Sequence, residues 1–405
     1  MRVRSEYLDH PVDLPALLPE TGGFLWARGG EGTAGWGRAA TIAVPSGRGR
    51  FDAAWSAATD AFAALDVDDE VVLSGRAPIA FGSFNFDIGV AGSVLTIPEV
   101  LVGSRGGRAW VTVVGDRDLP DLRRFPKPDA HDFKIRYAGS TISEIEWLDA
   151  VARAVKALKQ NDLEKVVLAR DIHVWSKEAF DLTVLLTRLA RRFPECYTFA
   201  CDGLVGATPE LLIGRAGSLI SSLVLAGTAP RGEGAEDERI GAELLASVKD
   251  RAEHAPAVVS VNETLAPLCD RLHIDPEPFL LRLANLQHLA TRVNGTLKEP
   301  ISSLELAGRL HPTAAVCGAP PEKAMELIRD LEGMSRDRYA GPVGWVDAAG
   351  NGEWGIALRC AEFHGTRGRL FAGGGLVADS RPEAELEETR LKFQAIRSAL
   401  GSEAV

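Results

Sequence analysis

Cysteine is scarce in this sequence, and its spacing excludes several classes of site. The five cysteines are an odd number, and no two of them form a CxxC pair. A disulfide framework and a zinc site are therefore not expected, and the pattern is more typical of reduced thiols in the cytosol.

Long hydrophobic runs and an excess of basic charge are also absent. No apolar stretch approaches the ~20 residues that span a bilayer, and Arg2 and Arg4 are not followed by the apolar core of a signal peptide. The net charge of −11 argues against nucleic acid and anionic lipid as main partners. We therefore expect a soluble, cytoplasmic protein that binds any anionic metabolite through local Arg or Lys side chains, backbone N–H groups or a metal ion.

The overall amino-acid composition is that of an ordinary globular protein. The 405 residues are 46% hydrophobic and 25% charged, which permits a large core in one large domain or in two to three smaller ones. No internal repeat has a solenoid or propeller period. The segment 115–137 is rich in charge and proline, which predicts a surface crossing between an N-terminal portion and the rest.

Helical periodicity marks three segments. The first begins at a capping box formed by Thr141 and Glu144 and ends at residues 160–162. Two later helices are predicted over residues 237–268 and 383–400. The apolar positions that define the first helix are Ile145, Leu148, Val151, Val155 and Leu158.

Strands are predicted between these helices. Residues 165–174 read as one strand and residues 369–377 as another, which ends in glycines. Residues 345–347 and 353–363 flank a turn-rich connection suited to a hairpin. Hairpins mixed with long helices favour an α+β architecture over a doubly wound parallel sheet.

Two acidic stripes are the first candidate site. Asp250 and Glu253 lie three residues apart on one helix face, Glu385 and Glu388 do the same on another, and Lys392 continues the second stripe. Carboxylates from two helices suit a hard divalent cation such as Mg²⁺. The alternative is two solvated helix faces.

Glycine-rich and small-residue segments are the second candidate. Gly373, Gly374 and Gly375 at a strand exit would let backbone N–H groups approach an anion, or they form a simple tight turn. Residues 225–232 read as a small-residue loop after a strand. Such a loop either lines a pocket or only turns the chain.

Arg359 stands in an apolar strand pattern. Period-2 alternation places it on the face of Gly355, Ala357 and Ala361, which leaves room for a ligand carboxylate held bidentately. A partner Glu inside the protein is the alternative.

Single ionisable residues complete the candidates. Apolar surroundings would suit Lys165 to act as a general base and would keep Glu210 a proton donor, unless both lie at solvated strand ends. His288 and His311 either touch a ligand or serve as core and capping histidines.

These segments occur together in the order found in the chorismate-utilising enzymes, and the chain resembles that family over about residues 140–400. Residues 80–87, AFGSFNFD, are similar to the family's FGGFxFD-type segment. The motifs that carry the resemblance are EKVVLAR, TPELLIGR, LAGTAPRG, KDRAEH, LHPTAAVCG, RYAGPVGWVD, GNGEWGIALRCA, RLFAGGGLV and AELEETRLKF.

The resemblance implies a fold and an arrangement of the site. The fold would be one large α+β domain with two stacked antiparallel sheets and outer helices, made of an N-terminal portion, 1–137, and a catalytic portion, 138–400. Mg²⁺ would bind Glu253 and Glu388, with Asp250 and Glu385 as direct or water-mediated contributors. The residues implied to hold the substrate chorismate are Ala226, Gly227, Thr228, His311, Tyr339, Arg359, Gly373, Gly374, Gly375 and Lys392.

The resemblance also implies the reaction. Members that add water have Lys at the position of Lys165, and aminodeoxychorismate synthases have a nucleophilic Lys where this chain has Ala226. The expected activity is isochorismate synthase, with Lys165 activating water and Glu210 protonating the leaving hydroxyl, in a monomer without a glutaminase subunit. Salicylate synthase, an ammonia-using relative and a non-catalytic chorismate-binding protein remain alternatives.

Overall fold

The architecture is two antiparallel β-sheets with helices around them. The computed structural model describes residues 1–20, 22–69, 78–122, 132–160 and 163–401. Eight α-helices lie in these ranges: α1 (Arg50–Ala63), α2 (Glu144–Gln160), α3 (Leu182–Arg192), α4 (Ala235–Ala246), α5 (Val248–Leu265), α6 (Ser303–Leu310), α7 (Pro321–Leu331) and α8 (Pro382–Ala399).

The strands are short before residue 140 and include three long ones after it. The first group is β1 (Arg2–Leu8), β2 (Phe24–Arg28), β3 (Glu31–Trp36), β4 (Ala40–Ala43), β5 (Asp66–Asp69), β6 (Ile79–Ser83), β7 (Val94–Ile97), β8 (Val100–Arg105), β9 (Arg108–Val114) and β10 (Ile135–Tyr137). The second group is β11 (Lys165–Ser176), β12 (Tyr197–Cys201), β13 (Leu204–Thr208), β14 (Leu211–Ala216), β15 (Leu219–Pro230), β16 (Cys269–Ile274), β17 (Phe279–Arg282), β18 (Leu286–Leu297), β19 (Gly318–Ala319), β20 (Pro342–Asp347), β21 (Gly352–Ile356), β22 (Cys360–His364) and β23 (Arg367–Leu376).

Each sheet combines strands from both ends of the chain. The larger has the order β10-β11-β23-β22-β13-β12-β2-β3-β8-β9-β1-β5, with β19 beside β11, and the smaller has the order β16-β18-β15-β14-β21-β20-β6-β7-β4, with β17 beside β18. Neighbouring strands pair antiparallel except β1 and β5. Because β2 pairs with β12 and β6 with β20, the two sides of the 115–137 crossing share both sheets. The predicted single α+β domain is therefore confirmed, although residues 123–131 of the crossing lie outside the described residues.

Aromatic side chains fill the space between the sheets. Phe24 of β2 stacks on Phe81 of β6 with ring centroids 5.4 Å apart, and Phe84 meets Trp354 edge-on at 5.7 Å. All four rings are at most 2% exposed. The segment 80–87 thus contributes to the core. Of the helices that the structure describes, none has the length and apolarity needed to cross a membrane.

The start of α2 differs from the prediction. The cap is Ser143, whose N–H donates to Glu146 Oε2 at 2.8 Å while Glu146 N–H donates to Ser143 Oγ at 3.2 Å. Thr141 instead donates its N–H to Asp171 at 2.7 Å. The helix therefore begins two residues later than a Thr141 cap would place it, and Ile145 is 79% exposed. The predicted end at 160–162 falls partly on residues 161–162, which lie outside the described residues.

Two further elements are divided where the sequence predicted continuity. The helix expected over 237–268 is two helices, because Ser247 is extended and its hydroxyl accepts from the N–H of Asp250 to cap α5. The strand expected over 353–363 is β21 of the smaller sheet followed by β22 of the larger sheet. Arg359 lies in the connection with φ +50°, so strand alternation does not set its direction.

Candidate active site

A cleft lies where the two sheets and helices α5 and α8 meet. Its space outside the protein atoms is about 610 Å³, part of it open to solvent. Most of the predicted site residues line it although the chain separates them widely. They are Glu210, Ala226, Gly227, Thr228, Glu253, Tyr339, Arg359, Gly373, Gly375 and Lys392.

Glu210 is a buried acid in the wall of this cleft. It follows β13 and precedes β14, and the residue is 4% exposed. Burial raises the pKa of Glu210 to about 8, although Lys165, Arg359 and Lys392 lower it in part. Its carboxyl group is therefore largely protonated at neutral pH and can donate a proton into the cleft.

Lys165 begins β11 and lies directly behind Glu253. Its side chain is fully buried; Nζ donates to the carbonyl oxygen of Glu253 at 3.1 Å and lies 3.4 Å from Glu253 Oε1. The apolar strand face expected from the sequence is present, because Val167 and Ala169 are buried as well. Glu253 lines the cleft, whereas Lys165 is not among its lining residues.

The three glycines lie inside β23 rather than at its exit, which corrects the sequence-based picture. They pair with β11 opposite Val167, Leu168 and Ala169. Their importance is the missing side chain: a Cβ on Gly375 would lie 2.2 Å from Glu253 Oε1 and 2.8 Å from Lys165 Cε. On Gly374 it would lie 3.4 Å from Glu385 Oε2 and 3.6 Å from Glu388 Oε1. The glycines make room for carboxylates and an amine.

Three carboxylates gather beside these glycines, each with a lysine. Glu253 pairs with Lys165, Glu385 Oε1 accepts from Lys249 at 3.0 Å, and Glu388 Oε1 accepts from Lys392 at 2.5 Å. Burial raises the pKa of Glu385, and its neighbour Glu388 adds to the rise. The pKa of Glu253 is raised by burial, which outweighs Lys165, and by Glu388 and Glu385.

The charge of this cluster suits a divalent cation, because mutual repulsion among the carboxylates is what such an ion offsets. The described residues contain no group of three His, Cys, Asp or Glu side chains already placed to hold a metal. Asp250 is separate from the cluster: its carboxylate accepts from the hydroxyl of Ser247 at the start of α5. The chemistry of the donors fits Mg²⁺, whereas the coordination geometry is not formed.

The segment expected as a loop at 225–232 is mostly strand. β15 continues to Pro230 and pairs with β18, with a bulge between Ala226 and Thr228. Gly227 has φ +77°, and a Cβ there would lie 3.1 Å from Asp250 Cβ. The bulge therefore needs glycine, and it turns the Ala226–Thr228 backbone toward the cleft.

Arg359 and Tyr339 form the opposite side. Arg359 Nη2 lies 2.9 Å from Nε2 of His288, and the Tyr339 ring stacks on Phe371 at 5.1 Å. Burial raises the pKa of the Tyr339 hydroxyl, so it remains a hydrogen-bond donor. A guanidinium and a phenol here can hold a carboxylate of a ligand.

His311 is not in the cleft, which corrects its predicted role. Its Nε2 lies 3.0 Å from the carbonyl oxygen of Phe86, and its ring packs between Phe51 and Phe86. Burial lowers its pKa to about 3. His288 lines the cleft instead, on β18 opposite Thr228.

A buried ion pair beside the cleft, of which Arg336 is a lining residue, was not predicted. Glu332 and Arg336 are each 3% exposed. Glu332 accepts from the N–H of Ala169 at 2.8 Å, and Arg336 donates to the carbonyl oxygen of Val167 at 2.7 Å. The pair thus hydrogen-bonds to backbone groups of β11 that lie beyond the two residues paired with β19. The only sequence signal was the four-residue spacing of the two charges.

Comparison with known proteins shows to which family the chain belongs. The chorismate binding enzyme family matches residues 117–401. The chain belongs to this family. Isochorismate synthase DhbC of Bacillus subtilis is 40% identical over 290 residues, 67% of this chain and 73% of that protein. Isochorismate synthase EntC of Escherichia coli K12 is 36% identical over 330 residues, 80% of this chain and 81% of that protein.

Solved structures of chorismate binding enzymes and relatives agree with the fold. The crystal structure of DhbC from Bacillus anthracis superposes with a TM-score of 0.81 at 33% identity, and covers 96% of this chain and 98% of that one. The family resemblance predicted from the motifs is confirmed, and so are the two antiparallel sheets.

Proposed function

We propose that this enzyme is an isochorismate synthase, which moves the ring hydroxyl of chorismate from C4 to C2 by adding water and losing water. The observation that carries the proposal is Glu210, a buried acid that is protonated at neutral pH in the same cleft as Arg359. The relatives named isochorismate synthase support it.

The proposed reaction uses an acid and a base. Lys165 accepts a proton from water, whose oxygen attacks C2 of the ring. The double bonds shift, the C4–O bond breaks, and Glu210 gives its proton to the departing hydroxyl, which leaves as water. Arg359 and Tyr339 hold the enolpyruvyl carboxylate, so that the ring carbons stay oriented between the two groups.

The enzyme is proposed to require Mg²⁺. Glu253, Glu385 and Glu388 would hold the ion, which supplies positive charge for the ring carboxylate of the substrate. Lys249 and Lys392, which pair with Glu385 and Glu388, offset part of the negative charge of the cluster.

Lys165 favours water over ammonia as the nucleophile, and Ala226 argues against an aminodeoxychorismate synthase, because the nucleophilic lysine expected of those enzymes is missing from the β15 bulge. A water-using enzyme needs no glutaminase subunit. The monomeric state, the cytoplasmic location and the division into 1–137 and 138–400 stay predictions.

Product analysis tests the proposal. Purified protein is incubated with chorismate and Mg²⁺, with and without EDTA, beside Lys165→Gln and the control Lys177→Gln. Lys177 is exposed just beyond the end of β11. We expect isochorismate from the wild type and the control, and a loss in kcat of about 10³-fold in Lys165→Gln, since a general base contributes about 10²–10⁴-fold.

The other outcomes are distinct. Salicylate and pyruvate rising together would place the enzyme among the salicylate synthases. Untouched chorismate in every arm would contradict the proposed function, and full activity with EDTA would contradict the metal requirement.

A further inference from the structure

His288 is a buried side chain of the cleft that the proposed reaction does not use. It lies on β18 opposite Thr228, between the β15 bulge and the edge strand β17, and it is 4% exposed. Its ring stands between the bulge and the guanidinium of Arg359.

The contacts of this ring determine which of its two nitrogens carries the proton. Arg359 Nη2 lies 2.9 Å from Nε2, and a guanidinium has only N–H donors, so Nε2 must be the acceptor. The proton is therefore on Nδ1, which lies 3.2 Å from the carbonyl oxygen of Gly227 and 3.2 Å from Thr228 Oγ1. Both contacts of His288 require the same neutral tautomer.

His288 is the main side-chain contact of Arg359, which is itself partly exposed. The Arg359 backbone has φ +50° in the connection between β21 and β22, so strand alternation does not set the direction of its side chain, although its carbonyl oxygen accepts from the N–H of Ala207 at 3.3 Å. Among the described residues, His288 is the one side chain that hydrogen-bonds its guanidinium. Arg336, by contrast, is held by Glu332 and by two backbone carbonyl oxygens.

We propose that His288 is a positioning residue that links Arg359 to the bulge at Gly227 through its neutral Nδ1–H tautomer, and so orients the guanidinium toward the substrate carboxylate. The orientation toward that carboxylate rests on the proposed function. Burial lowers the pKa of His288 well below its ordinary value, and Arg359 and Lys392 lower it further, so the ring stays neutral as the contact requires.

Two substitutions test the contacts at the two ring nitrogens of His288 separately. In His288→Asn the amide nitrogen takes the place of Nδ1 and can still donate to Gly227, but nothing reaches Arg359. In His288→Gln the amide oxygen takes the place of Nε2 and can accept from Arg359. We expect KM for chorismate to rise about tenfold in His288→Asn with little change in kcat, and to return to within about threefold in His288→Gln, because a lost binding contact raises KM alone.

A double-mutant cycle adds Arg359→Lys. If His288 acts through Arg359, His288→Asn costs nothing further once Arg359 has been replaced. Additive losses in kcat/KM would overturn the proposal, as would equal kinetics of the Asn and Gln variants, since His288 would then act on its own.

Nitrogen-15 NMR of histidine-labelled protein tests the tautomer without any reaction. The His288 signals are those missing from His288→Asn, and we expect them to show the neutral Nδ1–H form with Nε2 unprotonated. The Nε2–H form or a charged ring at pH 7 would overturn the proposal. A wild type that leaves chorismate unchanged would contradict the proposed function instead, while the NMR result would still decide the contact.

Discussion

Glu210 and Glu332 are two glutamates buried to about the same extent, at 4% and 3% exposure, but their carboxyl groups differ in their hydrogen-bond and ion-pair partners. Burial raises the pKa of both. Glu332 has Arg336 Nε at 2.9 Å and the N–H of Ala169 at 2.8 Å. Among the described residues, no side chain hydrogen-bonds or ion-pairs with the Glu210 carboxyl group, which faces the cleft.

The difference separates a structural acid from a reactive one. A buried carboxylate whose charge is neutralised and hydrogen-bonded holds elements together, in this case α7 and the following loop against β11. A buried carboxyl group without such partners keeps its proton. Burying it costs free energy of folding, and a role in the chemistry of the cleft explains why it is there. Substitutions at both glutamates and at the glycines of β23 test this distinction.

The largest effect is expected from Glu210→Gln. The amide cannot release a proton to the leaving hydroxyl, so kcat should fall by about 10²–10⁴-fold. In the wild type kcat should fall as pH rises through about 8, because the acid must be protonated. Steady-state rates from pH 6 to 9 measure both the loss of kcat in the variant and the pH dependence of kcat in the wild type. An active Gln variant would show that Glu210 is not the acid.

Stability supplies the control for the same variant. The pKa of Glu210 is raised from 4.5 to about 8, so the stability its proton contributes is complete below 4.5 and is lost as pH rises through about 8. The melting temperature of the wild type should therefore drop more between pH 6 and 9 than that of Glu210→Gln. Parallel melting curves would contradict a buried, protonated Glu210.

An intermediate effect is expected from the glycines of β23. In Gly375→Ala the new Cβ, 2.2 Å from Glu253 Oε1, must displace that carboxylate and Lys165, at a cost of about 1–3 kcal/mol and most of the activity. Gly374→Ala is the matched control, since its nearest neighbour is 3.4 Å away. Thermal unfolding and kcat measure both, and equal behaviour of the two variants would show that the glycines do not reserve this space.

The smallest effect on catalysis is expected from Glu332→Gln. Breaking a buried pair costs about 3–5 kcal/mol of stability, whereas the acid and the base of the cleft are untouched. Urea unfolding should show the loss, and kcat per folded molecule should stay near that of the wild type. A large fall in kcat without a fall in stability would make Glu332 a reactive group and remove the distinction from Glu210.

The sequence predicted the helices and strands that carry strong periodicity, and motif order predicted which residues meet in the cleft. Lys165, Glu210 and Arg359 could be named because their surroundings are apolar over several residues. Periodicity could not show that residues 353–363 leave one sheet for the other at Arg359, since the break depends on pairing with strands far along the chain.

Contacts between distant segments explain the other differences. The choice of His288 over His311 depends on Phe51 and Phe86, which bury His311 elsewhere. From the sequence alone, the glycines of β23 are predicted at the exit of a strand, because their partner strand β11 lies far earlier in the chain. Neither fact is local, so neither is visible in a window of sequence.

The origin of the new hydroxyl tests the central claim most directly. Wild-type enzyme is incubated with chorismate and Mg²⁺ in H₂¹⁸O, and the isochorismate is analysed by mass spectrometry. Attack of water at C2 with loss of the C4 hydroxyl predicts one ¹⁸O atom in each product molecule, on the C2 oxygen. Isochorismate without the label would mean that the hydroxyl migrates within the substrate, and it would contradict the proposed roles of Lys165 as base and Glu210 as acid.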